Sequence, residues 1–171
     1  RRELDLETAT ASVRHTSEGV RYTREVFASA PDNVIVLRLT ADKPGRLSFS
    51  AGMRTRMAAS VETEGHDTLV MRGTGGSAGG ISGQLKYQAR VQIIPNGGKA
   101  AVEDGRISVT NANDVILLIA AATSYQRFDD VSGDPESIVA QQLAAAAKKS
   151  FARLRSDHVE KHRALFGRVT L

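Results

Sequence analysis

The chain has 171 residues, of which 41% are hydrophobic and 25% charged, with no cysteine and a formal net charge of +4. That is enough apolar chain for one domain with a sizeable core, and it excludes a disordered chain, a disulfide scaffold and thiolate chemistry. The longest aliphatic run, residues 115–122, is too short to cross a bilayer.

Up to about residue 123 the pattern is that of β-structure. "LDLETATASVRH" (4–15) mostly alternates. "GVRYTREVFASA" (19–30) puts Val20, Tyr22, Arg24 and Val26 on one side and Arg21, Thr23, Glu25 and Phe27 on the other. The "SEG" before it reads as a hairpin turn. "NVIVLRLTA" (33–41) is apolar enough between Val34 and Leu39 to be buried on both sides, "DKPG" (42–45) is a turn, and "RLSFSAGM" (46–53) alternates. Residues 54–67 are polar and carry no clear pattern. "TLVMRG" (68–73) is a short strand. "QLKYQARVQIIP" (84–95) is a long one, with Leu85, Tyr87, Ala89, Val91 and Ile93 in alternation, and the "NGG" that follows it (96–98) reads as a hairpin turn. "KAAVED", "RISVT" and "DVILLIAAATS" complete a run of turn-punctuated strands. That run predicts an antiparallel sandwich or barrel.

After Pro135 the period becomes helical. Asp134 is placed to cap a helix whose first residue is proline, and Glu136 adds negative charge at the positive end of the helix dipole. At 100° per residue, Ala140, Leu143, Ala144, Ala147, Phe151, Leu154, His158, His162 and Leu165 form one stripe. A single long helix is therefore predicted from 135 to about 166, stopping at Gly167. The positive excess of the chain lies here: residues 136–171 carry seven basic side chains against three acidic ones. They are mixed, without interleaved aromatics, and read as a solvated helix face. No nucleic-acid or membrane partner is expected.

Several stretches invite a chemical reading. "TGGSAGGISG" (74–83) has five glycines in ten residues. It lacks the lysine and the following helix of a phosphate-binding loop, and Ser82 lacks the spacing of a nucleophile elbow. His158 and His162 stand four apart, as metal-binding histidines do, but no glutamate follows the first and no third ligand presents itself. Hydrogen-bonded packing is expected instead, and no metal or cofactor. With no Trp, three Tyr and five Phe, mostly at inward positions, an aromatic sugar platform is not favoured.

The segment "AAATSYQRFDDVSGDP" (120–135) gathers Tyr125, Arg127, Asp129, Asp130 and Asp134. Asp129 and Asp130 are adjacent and on extended chain point apart, so they form no dyad with each other. The EF-hand spacing is not met. The segment reads as a junction (124–134) between the β-region (1–123) and the helix (135–171). Tyr125, Arg127, Asp129 and Asp130 tie the corner and Asp134 caps the helix. These are the candidate functional residues, and no catalytic residue is assigned.

Residues 1–50, 68–98 and 115–171 resemble the N-terminal β-sandwich of bacterial α-L-fucosidases of glycoside hydrolase family 95. The resemblance is carried by "YTREVFASAPD" (22–32), "ATSYQRFDDVSGDP" (122–135) and "LFGRV" (165–169). It implies a mainly β, supersandwich-like antiparallel sandwich followed by a long helix. It also implies a chain that begins inside the family's sandwich and stops in the linker before an (α/α)6 barrel. In such enzymes the barrel hydrolyses terminal fucosyl linkages with inversion, a glutamate protonating the leaving oxygen. None of those motifs lies in residues 1–171.

The expected role is therefore non-catalytic. The chain would brace the barrel of the same polypeptide, whose substrate would be a fucosylated glycan and whose address would be secreted or periplasmic. Missing first strands would leave an open sheet edge, from which self-association is expected. The alternatives are a stand-alone carbohydrate-binding or adhesion module, and a purely structural domain.

Overall fold

The computed structural model describes residues 1–168; Val169, Thr170 and Leu171, the end of the predicted linker segment, lie outside the described residues. Eleven strands come first: β1 (Arg2–Asp5), β2 (Thr10–Ser17), β3 (Val20–Ser29), β4 (Val34–Ala41), β5 (Leu47–Ala51), β6 (Ala59–Glu64), β7 (Thr68–Thr74), β8 (Lys86–Asn96), β9 (Lys99–Glu103), β10 (Arg106–Ala112) and β11 (Asp114–Thr123). Two helices follow, α1 (Pro135–Ala146) and α2 (Phe151–Phe166). The protein is mainly β and its sheets are antiparallel.

Eight strands form one sheet in the order β1-β2-β3-β4-β11-β8-β7-β6, and three form a second in the order β5-β10-β9. The last strand in sequence, β11, thus occupies the middle of the large sheet, between β4 and β8. Its side chains alternate between two cores. Leu118 and Ala120 point to the helices, with Phe27, Val34, Val36, Val139, Leu143 and Leu154. Val115 and Leu117 point the other way and meet Leu47, Ile107, Val109 and Ala112 of the small sheet together with Leu69 and Ile93. A strand buried on both faces reads as a continuous apolar run, as residues 115–122 do. Each fully buried Leu or Ile contributes roughly 1.5–3 kcal/mol.

The small sheet is narrower than the large one and leaves part of β2, β3 and β4 uncovered. Burial of β4 on both faces is therefore only partly met. Val34 and Val36 lie beneath the helices, Leu37 and Leu39 are half-buried at the edge of the small sheet, and Ile35 is 44% exposed. Residues 54–67, without pattern in the sequence, contain β6.

The single long helix is also corrected. The chain leaves α-geometry after Ala147, and Ser150 adopts extended φ/ψ (−68°, 156°) and caps α2 by accepting the Arg153 N–H. Lys149, in the break, reaches Asp32 (2.6 Å) in the β3–β4 turn and Asp157 (2.9 Å) in α2. The break lets α1 lie across β11 and β8 while α2 turns onto β3. It also resets the helical phase: α1 buries Pro135, Val139, Leu143 and Ala146, whereas Ala144 and Ala147 of the predicted stripe are exposed.

Candidate functional site

The two ends of the large sheet differ. At one end the connections are short, such as the Glu18-Gly19 turn of the β2–β3 hairpin and Gly97-Gly98, which passes from β8 to β9 of the small sheet; both have paired positive φ values. At the other end lie the longer loops 52–58, 75–85 and 124–134, which follow β5, β7 and β11. This end displays Met57, Ile81, Tyr125 and Phe128, all exposed. It is also where α2 closes over the β1–β2 loop.

The junction is built from its base upward. Ser124 is buried and locks the end of β11 to β8. Its N–H donates to the Lys86 carbonyl (2.9 Å), and its Oγ accepts the Lys86 N–H (2.9 Å). The Ser124 carbonyl accepts the Gly133 N–H at 2.9 Å, which closes the loop. A Cβ at Gly133 would sit 2.9 Å from that oxygen and 2.7 Å from Gln126 Nε2, so the base is shaped for glycine.

Above the base, Arg127 and Asp130 exchange backbone hydrogen bonds (3.1 and 3.0 Å) and turn the chain over Phe128 and Asp129. Arg127 Nε holds Asp129 Oδ1 at 2.9 Å. Asp130 Oδ1 accepts the Ser132 N–H at 2.9 Å, and hydrogen bonding from Ser132 holds the Asp130 carboxyl below its ordinary range. Asp134 Oδ1 accepts the Glu136 and Ser137 N–H groups (3.0 and 3.2 Å), and Oδ2 accepts the Ser137 hydroxyl (2.7 Å). The Ser137 bonds are the main reason that this carboxyl is also held low. Each of the three aspartates is thus occupied by its own partner, with no shared carboxylate pair. Phe128, at the tip, is 92% exposed, and Tyr125 is exposed beside the base.

Beside the junction lies an ion-pair cluster that the sequence reading missed. Glu136 Oε1 accepts from Arg72 (2.9 Å) on β7 and from Arg90 (3.0 Å) on β8. Arg72 also pairs with Glu62 and Arg90 with Glu64, while Arg90 Nε donates to Gln88 (3.0 Å). The Arg72 hydrogen bond is the largest cause of a lowered Glu136 carboxyl. A signal was available: Gln88, Arg90 and Gln92 put polar groups at every second position of β8, on the face that α1 must cover.

The histidines serve packing. His158 is buried, stacks on Phe27 (4.7 Å between ring centroids) and sets Nε2 2.9 Å from the Thr8 carbonyl. His162 sets Nε2 2.8 Å from the Leu6 carbonyl. A carbonyl can only accept, so each Nε2 carries the proton, and the two rings address different oxygens instead of one metal. Ser82 is exposed in loop 75–85, where Gly79 and Gly80 take positive φ. Among the described residues no group of three His, Asp or Glu side chains is arranged to hold a metal. No described helix is long and apolar enough to cross a membrane. What this end of the protein can do is present an aromatic side chain on a closed, braced turn.

The architecture is thus an antiparallel sheet with helices on one face and a partial second sheet on the other. Residues 1–127 match the family model for the N-terminal domain of glycosyl hydrolase family 65, and the chain belongs to that family. Among curated proteins it is 31% identical over 195 residues to α-L-fucosidase 2 of Arabidopsis thaliana and 31% identical over 186 residues to a probable α-fucosidase A of Aspergillus niger. Both alignments take in 100% of the chain but 23% of the relative, so the chain spans about a quarter of their length. A putative kojibiose phosphorylase from the human microbiome shares the fold, with a TM-score of 0.62 over 94% of the chain and 24% of that protein at 11% identity.

Proposed function

We propose that the chain is the N-terminal domain of a longer glycoside hydrolase related to the inverting α-L-fucosidases of family 95. In this reading the chain contributes no catalytic group and braces the catalytic barrel of its own polypeptide. The supersandwich-like architecture expected from the sequence would be completed in that parent. The reading is supported by the two α-fucosidase relatives. The observation that carries the bracing role is Phe128, 92% exposed on a turn held by two backbone hydrogen bonds and the Arg127–Asp129 ion pair. A preorganised, solvent-facing aromatic loses little entropy on docking and is the kind of side chain that anchors an interface. The substrate of the parent would be a fucosylated glycan, and its compartment extracytoplasmic.

The test uses the full-length parent enzyme carrying Phe128→Ala, with Tyr125→Ala as a companion. Calorimetry is expected to show the N-terminal domain melting apart from, and below, the remainder. Fucose release at low temperature should keep its kcat. Unchanged melting in both variants would remove the bracing role, and a lost kcat with unchanged melting would place Phe128 at the substrate instead.

A further inference from the structure

The face of the large sheet opposite the helices is covered by three strands where eight lie beneath. Alongside β5 this leaves a groove of about 460 Å³, floored by Leu37, Leu39 and Leu117 and walled by Tyr22 and Phe49. It continues onto Ile35, 44% exposed. An alternating apolar strip on a sheet whose neighbouring strands are buried on this same side is a surface built for a covering strand.

The strand bordering the groove has an open edge. Asp104 and Gly105, both at positive φ (51° and 68°), make a two-residue hairpin, so Glu103 and Arg106 are a doubly bonded pair. Ser108 then also faces β9, and Ile107 and Val109 direct their backbone groups to Ala51 and Phe49 of β5. The backbone N–H and C=O groups of Ser48 and Ser50 are consequently left pointing into the groove. The other sheet edges carry charges that discourage pairing: Arg2, Glu3 and Asp5 on β1, Glu62 and Glu64 on β6, Lys99 and Glu103 on β9. β5 reads Leu-Ser-Phe-Ser-Ala and carries none.

We propose that an extended segment of the same polypeptide, from outside residues 1–171, lies in this groove and pairs with β5 through the backbone of Ser48 and Ser50. Its inward side chains are apolar and cover Leu37 and Leu39. It carries a carboxylate, because Arg24 and Arg46 line the groove with no acidic residue beside them. A second copy of the chain does not fit. Pairing β5 to β5 would bring the partner's own eight-stranded sheet into the layer already filled by β3 and β4. A lone strand has no such second layer. The proposal rests on the parent being longer than this chain, not on its activity.

Residue-resolved hydrogen exchange of the full-length parent tests it. The Ser48 and Ser50 amides should exchange as slowly as those of Phe49 and Ala51, which are bonded to β10. In the isolated 171-residue chain they should exchange at least about 100-fold faster than Phe49 and Ala51, as expected of an unpaired edge. Fast Ser48 and Ser50 amides in the full-length protein would overturn the proposal. So would slow ones in the isolated chain whose protection rises with concentration, since copies would then be pairing with each other.

Discussion

His158 on α2 donates its Nε2 proton to the carbonyl of Thr8, 2.9 Å away and 150 residues earlier in the chain. With the stack on Phe27, this bond fastens the last helix to the first hairpin. His158→Ala removes both and leaves a cavity under α2. A loss of about 2–4 kcal/mol is expected, the range for truncating a buried ring that also makes a hydrogen bond. His158→Phe should keep the stacking and recover part of that loss. Urea denaturation of the two variants measures the split.

The pH dependence of stability follows from groups shifted in opposite senses. Asp134, Glu136 and Asp157 have lowered carboxyls, held chiefly by Ser137, Arg72 and Lys149 respectively. Their contribution is complete above the ordinary carboxylate range and is lost as pH falls through the lowered folded values. Lys149 is raised, chiefly by Asp32 and then Asp157. Its contribution is complete below the ordinary lysine value and is lost as pH rises through the higher folded one. The contribution of these four groups should therefore be complete from about pH 5 to 10 and fall on both sides. Thermal melts across pH should show Asp134→Asn softening the acid limb and Lys149→Met flattening the alkaline limb.

Arg90 separates charge from volume. Its side chain is 11% exposed, with Glu64, Glu136 and Gln88 around it. Arg90→Met keeps the bulk beneath α1 and leaves Glu136 its bond to Arg72, so the change should stay within about 1 kcal/mol. Arg90→Ala removes the bulk as well and should cost about 2–3 kcal/mol. Equal losses in chemical denaturation would mean that the charge, not the packing, is what α1 rests on.

The strands were legible because alternation and turn chemistry are local. "SEG" forms the β2–β3 hairpin at Glu18-Gly19, and β3, β8 and β11 fall where the pattern put them. "NGG" is a tight turn but not a hairpin: Gly97-Gly98 carries the chain from β8 of the large sheet to β9 of the small one, a crossover that local turn chemistry does not distinguish from a hairpin. β6 was not legible, because its apolar side chains are few and it is an edge strand. The helix break was missed for a different reason. Residues 147–149 are compatible with helix, and Ser150, which caps α2, is the local signal that was passed over; the Lys149–Asp32 pair that accompanies the break is supplied only by the fold. Of the junction, the Asp134 cap could be read from the Asp-Pro-Glu spacing. The closed turn that lifts Phe128 into solvent depends on Gly133 meeting Ser124, which no local pattern announces.

The central position of β11 governs how the domain is made. β1–β4 and β6–β8 are two half-sheets that touch only through a strand ending at Thr123. During synthesis both halves emerge with an open inner edge, β4 and β8, and neither can close until β11 has left the ribosome. The domain is therefore zipped at its middle last, and a nascent chain halted before Asp114 would hold two unjoined β-sheets instead of a shortened version of the fold.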